Sequence, residues 1–248
     1  MDKEILYVVL PCYNEEENIS DLIKEWKTQE SKLYERNILL KLIIVNDGSS
    51  DKTLEIARGL ENVNNNIKVL NHEVNKGLGE GLNTGINYVI SQKRKGLLCI
   101  MDADMTHSPE YIYSMLNKLS EKNLDCVVAS RYRKGSKVEG LSLYRKFLSY
   151  GARALYTLKL RIPNVRDYTC GYRLYKISAL EVLVSKYNGE IVKERGFACM
   201  MELLARFSRE GFRIGEVPFI LKYQLKGGQS KMRVWRTIYR SMIILTRL

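Results

Sequence analysis

Short runs of consecutive apolar residues alternate along the chain with stretches in which apolar positions recur every three or four residues. Ile5-Leu6-Tyr7-Val8-Val9-Leu10 and Leu39-Leu40-Lys41-Leu42-Ile43-Ile44-Val45 are near-continuous apolar runs that stop at turn residues, as parallel strands buried on both faces do. Ile67 to Leu70, Leu97 to Met101 and Cys126 to Ala129 repeat the pattern. Helix starts lie between them: Asn18 or Ser20 before Leu22 and Ile23, Asp51 before Leu54 and Ile56, and Ser108-Pro109 before Tyr111 to Leu119. The alternation predicts a doubly wound α/β sheet up to Arg131.

Beyond Arg131 the pattern changes. A basic segment, Lys134-Gly135-Ser136-Lys137, leads into a long helical stretch from Leu143 to Leu160. A polar loop from Asp167 to Arg173, short helices from Ser178 and from Ala198 to Arg209, and a β-like stretch from Arg213 to Tyr223 follow. Trp235 to Leu248 sets Arg236, Arg240 and Arg247 among apolar residues, the pattern of a basic amphipathic helix that either lies on a membrane surface or docks on the core. The expected organisation is a catalytic-type domain over 1–231, divided into halves 1–131 and 132–231, with a terminal helix at 232–248.

Composition narrows the class. The chain has 248 residues, 45% hydrophobic and 27% charged, an ordinary globular balance that excludes disorder and a stapled mini-scaffold. Forty Lys and Arg against 28 Asp and Glu give a formal charge of +12, so the surface favours anions, whether nucleic acid, phospholipid or phosphorylated small molecules. Five widely spaced cysteines with no C-x-x-C pair suggest neither a disulfide framework nor a zinc site, and point to a reducing, cytoplasmic location. No export signal is evident, and the apolar runs fall far short of the ~20 residues that span a bilayer.

In open α/β sheets the ligand lies beyond the carboxyl ends of the strands. Three such ends are rich in polar groups: Pro11-Cys12-Tyr13-Asn14-Glu15-Glu16, Asn46-Asp47-Gly48-Ser49-Ser50-Asp51 and Asp102-Ala103-Asp104. In an extended chain Asp102 and Asp104 leave one face together and suit Mg²⁺ or Mn²⁺, whose remaining ligands are water and substrate phosphate. Asp47 can accept hydrogen bonds from a nucleobase or ribose, whereas Ser50 and Asp51 suit turn and cap chemistry. Asn75 to Gly81 is glycine-rich but matches no phosphate-loop pattern. Cys12 and Cys170 read as small buried residues, and His72 and His107 have no partner visible in the sequence.

These motifs, in order, resemble those of the inverting glycosyltransferases of family 2 with a GT-A fold, within them the polyprenyl-phosphate sugar transferases. Leu10 to Glu15 is similar to V-P-x-Y-N-E, Asn46 to Ser49 to D-D-G-S, and Met101 to Asp104 with His107 and Pro109-Glu110 to the D-A-D segment. Ser130-Arg131-Tyr132, Arg145 with Ser149, and Asp167 to Arg173 resemble the S-R-Y, R-x-x-x-S and D-x-T-S-G-F-R segments of enzymes with lipid-phosphate acceptors. The match continues through Met201 to Leu204 and Gly211 to Pro218 to Ser230-Lys231-Met232. The resemblance implies a Rossmann-like, mostly parallel sheet with helices on both faces and a C-terminal acceptor-side subdomain. It implies that Pro11, Tyr13, Glu15, Asp47 and Asp102 hold the nucleotide sugar, and that Asp102 and Asp104 hold the metal. Asp104, Arg131 and Arg145 would carry catalysis, with Arg131, Arg145, Ser149 and Lys231 at the acceptor phosphate. Two departures stand out: Thr106 replaces a frequent Gln, and the Arg before the G-x-S-K segment has no clean counterpart beyond Gln224 or Lys226.

A lipid phosphate is already anionic and needs cations rather than a base, with Arg133, Lys134, Lys137, Arg166 and Arg173 as further candidates. The rival is transfer to a glycan or protein hydroxyl, with Asp167 or Glu202 as base. A nucleic-acid-binding module would leave the strand-end carboxylates without a role, because they repel a phosphate backbone. The expected partners are therefore a nucleotide diphosphate sugar, a polyprenyl phosphate lipid and the cytoplasmic face of a membrane, with room for a membrane-protein partner and no nucleic acid.

Overall fold

Strand β1 (Glu4–Cys12) buries Leu6, Tyr7, Val8, Val9 and Leu10 almost completely, which requires neighbours on both edges and layers on both faces. It has them in the computed structural model, which describes residues 3–140, 143–225 and 234–247. On one edge β1 pairs in parallel with β2 (Ile38–Asp47), and β2 with β3 (Ile67–His72). On the other edge it pairs in parallel with β4 (Gly96–Ile100), Val9 standing opposite Ile100. Helices α1 (Ile19–Thr28), α2 (Glu30–Glu35), α3 (Thr53–Asn62) and α4 (Leu78–Ser91) make the connections. Fully buried Leu22, Ile23 and Trp26 form the inward stripe of α1.

A 3₁₀ turn (Pro109–Tyr111), capped by the Ser108 hydroxyl on the Glu110 amide, leads into α5 (Ile112–Glu121) and β5 (Cys126–Ser130). Next come β6 (Lys137–Glu139), the long α6 (Leu143–Leu160), β7 (Arg173–Lys176), α7 (Ile177–Lys186) and α8 (Cys199–Arg209). The chain continues through β8 (Ile214–Pro218) and β9 (Ile220–Lys222) to α9 (Val234–Arg247). The described residues form a seven-stranded sheet of order β3-β2-β1-β4-β7-β5-β8 and a small parallel pair, β6 with β9.

The architecture is the α/β sheet that the apolar runs predict, with one addition. The polar stretch from Asp167 to Arg173 ends in β7, which inserts antiparallel between β4 and β5. Arg173 lies opposite Ile100 on one side and Val128 on the other, so the turn before it emerges at the carboxyl ends of the parallel strands. Four residues, of which the first and last are basic, give no apolar run to read. The β-like stretch from Arg213 likewise resolves into β8 and β9, on different sheets.

Helix α9 packs against α6. Buried Ser241 bonds the Tyr156 hydroxyl at 2.8 Å, and Ile244 is buried. The other face of the helix pair leaves Tyr150, Leu158, Tyr239 and Met242 more than half exposed.

Candidate functional site

The ends of β1 and β2 are tied together before any ligand is considered. Asn14, with φ 53°, donates its amide to the Ser49 hydroxyl and accepts from the Ser50 amide at 2.8 Å. The Glu15 amide donates to Thr53 Oγ1 at 2.7 Å, and the Glu15 carboxylate accepts from Asn18 Nδ2. Asp51 accepts from the Thr53 amide and hydroxyl, the cap chemistry expected of it. Pro11, Tyr13 and Glu15 are thereby fixed along one wall of a cavity of about 600 Å³, within the usual range of roughly 300–1,000 Å³ for small-molecule sites.

Asp47 lies on the same wall and is 4% exposed. Its Oδ1 accepts from His72 Nδ1 at 2.7 Å and the Lys76 amide at 2.8 Å, and its Oδ2 accepts from the Gly77 amide at 2.8 Å. Most of its acceptor capacity therefore organises the turn at 73–77. The glycine-rich segment lines the cavity through Asn75, Lys76, Gly77, Leu78 and Gly81, but its glycines also serve packing. Gly79 and Gly81 lie inside α4, and a Cβ on Gly79 would stand 1.9 Å from the Glu194 carbonyl oxygen. The glycine lets α4 approach the 194–198 segment, which forms another wall.

Asp102 and Asp104 follow β4 and line the cavity, as the spacing predicts. Asp102 packs directly on Gly171, whose Cβ would stand 2.6 Å from Oδ1 and 2.9 Å from Oδ2. Asp104 Oδ1 accepts from Thr106 Oγ1 at 2.6 Å and from the Thr106 amide at 3.2 Å. Thr106 Oγ1 also lies 3.1 Å from His107 Nδ1, and His107 Nε2 lies 3.7 Å from Cys170 Sγ. Burial lowers the His107 pKa despite the opposing pull of Asp102 and Asp104. Among the described residues no group of three or more His, Cys, Asp or Glu is arranged to hold a metal, so these two carboxylates are the available pair.

The basic residues of the second half are mostly engaged. Arg131 makes a bidentate pair with Asp167, Nε to Oδ2 at 2.8 Å and Nη2 to Oδ1 at 2.6 Å, and Nη2 also donates to Thr169. Asp167, fully buried, accepts in addition from the amides of Arg131, Thr169 and Cys170. Burial alone would raise the Asp167 pKa, but the Arg131 charge and these hydrogen bonds hold it below its usual value. Arg133 pairs with buried Glu216, and Lys137 with Glu139. Lys134 is exposed, and Arg166 is exposed with its amide on Glu216.

Three expectations need correction. Arg173 cannot face a phosphate: it is fully buried and donates to the carbonyls of Tyr168, Cys170 and Met200 at 2.6–2.9 Å. Asp167 is unsuited to act as a base, because its depressed pKa and five donors oppose proton uptake. Glu202 is no better placed, since it pairs with Arg206 at 2.6 Å and accepts from the Lys193 and Glu194 amides. Ser149 bonds the Tyr132 hydroxyl. Arg145 lies on α6 with its side chain outside the described residues, and Lys231 and Lys226 lie outside them altogether.

The structure also contributes groups that the sequence did not mark. Arg153 sits over the Tyr132 ring, 4.8 Å from its centroid, one turn of α6 from Ser149. Glu194 and the segment after it line the cavity, as do Thr237 and Arg240 of α9. Arg240 Nε donates to Glu194 Oε2 at 2.8 Å, so the terminal helix is part of the cavity wall. The basic amphipathic pattern includes Arg240 but does not place it at the cavity, and no motif marks Glu194; packing brings both there. All five cysteines are buried, and none forms a disulfide among the described residues.

An open, mostly parallel sheet with paired carboxylates at its strand ends, facing a nucleotide-sized cavity, defines a GT-A-like α/β domain. Residues 7–184 match the model of glycosyl transferase family 2, and the chain belongs to that family. Dolichol-phosphate mannosyltransferase of Pyrococcus furiosus is 29% identical over 242 residues, which are 95% of this chain and 63% of the relative. Dolichyl-phosphate beta-glucosyltransferase of Trichomonas vaginalis is 28% identical over 220 residues, 86% of this chain and 64% of the relative. The chain thus spans less than two thirds of the length of either. A mannosyltransferase from Pyrobaculum calidifontis, solved with GDP-mannose and Mn²⁺, superposes with a TM-score of 0.62 at 14% identity. That superposition covers 100% of this chain and 64% of the other, and it shows a common fold.

Proposed function

We propose that the chain is the catalytic domain of an inverting glycosyltransferase that moves a hexose from a nucleotide diphosphate sugar, of the GDP-mannose or UDP-glucose type, to a polyprenyl phosphate. The observation that carries this reading is the convergence of Pro11, Tyr13, Glu15, Asp47, Asp102 and Asp104 on one cavity at the carboxyl ends of β1, β2 and β4. Pro11 and Tyr13 offer apolar surface to a base, and Asp47 and His72 hold the turn at 73–77 against it. Asp102 and Asp104, an all-oxygen donor pair with room for water and phosphate, fit Mg²⁺ or Mn²⁺. When bound, that ion offsets the charge on the departing diphosphate.

The acceptor argument rests on what is already occupied. A hydroxyl acceptor needs a base, and both carboxylates proposed for that task are buried in ion pairs. A phosphate acceptor needs only to be positioned by cations, for which Arg145, Arg153 and Lys231 are the candidates, with Arg131 and Ser149 framing the approach. The dolichol-phosphate relatives favour the same acceptor. Among the described residues no helix is long and apolar enough to cross a membrane. The exposed side of α6 and α9 is the surface through which a peripheral domain on the cytoplasmic face would meet lipid.

The test is transfer of labelled sugar from a panel of nucleotide sugars to a short polyprenyl phosphate, with Mg²⁺ or Mn²⁺ and with chelator. Lipid-extractable product that disappears with chelator and in Asp104→Asn supports the proposal. Slow donor hydrolysis without lipid product refutes the acceptor assignment, and full activity of Asp104→Asn refutes the metal assignment.

A further inference from the structure

Asp104 is the near end of a hydrogen-bond chain whose direction can be worked out. An ionised carboxylate only accepts, so Thr106 Oγ1, at 2.6 Å, gives its single proton to Asp104 Oδ1. The same oxygen can then only accept from His107 Nδ1 at 3.1 Å, which places a proton on Nδ1. In the neutral ring Nε2 is left as an acceptor, and it faces Cys170 Sγ at 3.7 Å, within reach of a thiol donor. Every donor points toward Asp104. From Cys170 the connection runs on through its own amide to Asp167 Oδ1 at 3.1 Å, and from there to the Arg131 guanidinium.

The geometry around the chain is built to hold it. Met105 adopts φ 62°, a left-handed conformation uncommon for a side chain of its size, and this turns the Thr106 amide and hydroxyl back onto Asp104. The His107 ring is buried, stacked on Phe219 with centroids 5.3 Å apart and edge-on to Tyr172 at 5.7 Å. Its plane is set by aromatic packing and both its nitrogens have partners.

The geometry points to His107 as a positioning residue that fixes the Asp104 carboxylate through the Thr106 hydroxyl and ties it, through Cys170, to the turn carrying the Arg131–Asp167 pair. Donor-side and acceptor-side halves are thereby held in one register. The Gln-to-Thr departure then has a purpose in this chain: Thr106 orients a ligand instead of serving as one. The binding arm of the test rests on the transferase reading above, and the spectroscopic arm does not.

The first measurement is a long-range ¹⁵N spectrum of the two histidines of the intact protein, assigned with His72→Gln. His107 should show a protonated Nδ1 and an unprotonated Nε2 near neutral pH. A proton on Nε2 alone overturns the proposal, whatever the enzyme transfers. The second compares Thr106→Val, His107→Phe and His107→Asn for Mn²⁺-dependent binding of nucleoside diphosphate, with thermal unfolding as the fold control. His107→Phe keeps the stacking and loses both hydrogen bonds, whereas His107→Asn retains a donor where Nδ1 stood. Thr106→Val and His107→Phe should weaken binding on the order of 10-fold or more at a near-native melting temperature, with His107→Asn recovering most of the loss. Unchanged binding in His107→Phe, or equal loss in Phe and Asn, reduces His107 to a packing residue and overturns the proposal. If the wild type binds no metal–nucleotide complex, the function fails, and the spectrum alone decides the chain.

Discussion

Replacing Gly171 by alanine isolates the position of one carboxylate. Gly171 has no left-handed backbone requirement, so alanine is accepted by the main chain, and the three atoms nearest its new methyl all belong to the Asp102 carboxylate. The methyl would stand 2.6 Å from Oδ1, and ordinary contact begins at 3.4 Å, so the carboxylate must move by about 0.8 Å. Misplacement on this scale costs on the order of 10²-fold in rate, or about 2.7 kcal/mol of transition-state stabilisation. The assay is steady-state sugar transfer with a Mn²⁺ titration, alongside thermal unfolding. Expected are a loss near two orders of magnitude in kcat/KM, a higher metal requirement, and a stability change under ~1 kcal/mol. Wild-type kinetics with Gly171→Ala would refute the claim that the position of Asp102 matters. A loss explained by unfolding would refute the claim that the glycine serves the site rather than the fold.

Asp167→Asn should destabilise the protein by about 3–5 kcal/mol, because it leaves the Arg131 charge in a site built for a carboxylate. A catalytic base would instead lose turnover at unchanged stability, and urea unfolding with kinetics separates the two. The same variant carries a pH signature. The folded-state pKa of Asp167 is lowered, so its stabilisation is present above the ordinary Asp value and is lost as pH falls through the folded value. Acid-side unfolding curves of the variant should lack that component. Tyr239→Ser with Met242→Ser should weaken flotation with anionic liposomes several-fold and leave soluble donor binding intact. Deleting α9 cannot make that distinction, because Thr237 and Arg240 line the cavity proposed for the donor.

What could be read in advance follows from how local each signal is. Strands β1, β2 and β4 are long apolar runs ended by polar turns, so both they and the carboxylates after them are marked in the sequence itself. Asp102 and Asp104 follow β4 directly, which marks their place at its carboxyl end, but they stand in a bend beyond the strand and not in the extended chain that the spacing suggests. Arg173 is not legible in this way, because a charged residue in a polar stretch gives no hint that three main-chain carbonyls will enclose it. The partners of His107 are invisible for a similar reason, since Cys170 stands 63 residues away and reaches it only after β7 has inserted. Glu194 belongs to a segment without a motif, and the amphipathic pattern around Arg240 does not say where the helix docks; the two meet at the cavity through packing.

The insertion of β7 also governs how the chain can be divided and the order in which it can fold. In a 1–131 fragment β4 would have a bare edge, and β5 would find neither of its partners, since among the described residues it pairs with β7 and β8 alone. Residues 1–131 therefore lack the strands that complete their sheet, although the motifs proposed for the donor all lie within them. On a ribosome the sheet stays open beside β4 until residue 176 has emerged, and β5 gains its outer neighbour only with residues 214–218. Such non-local pairing favours slow folding and leaves apolar strand edges exposed to association meanwhile. Expression of the intact chain, rather than of its nucleotide-binding half, is the form in which the Asp102–Asp104 pair can be studied.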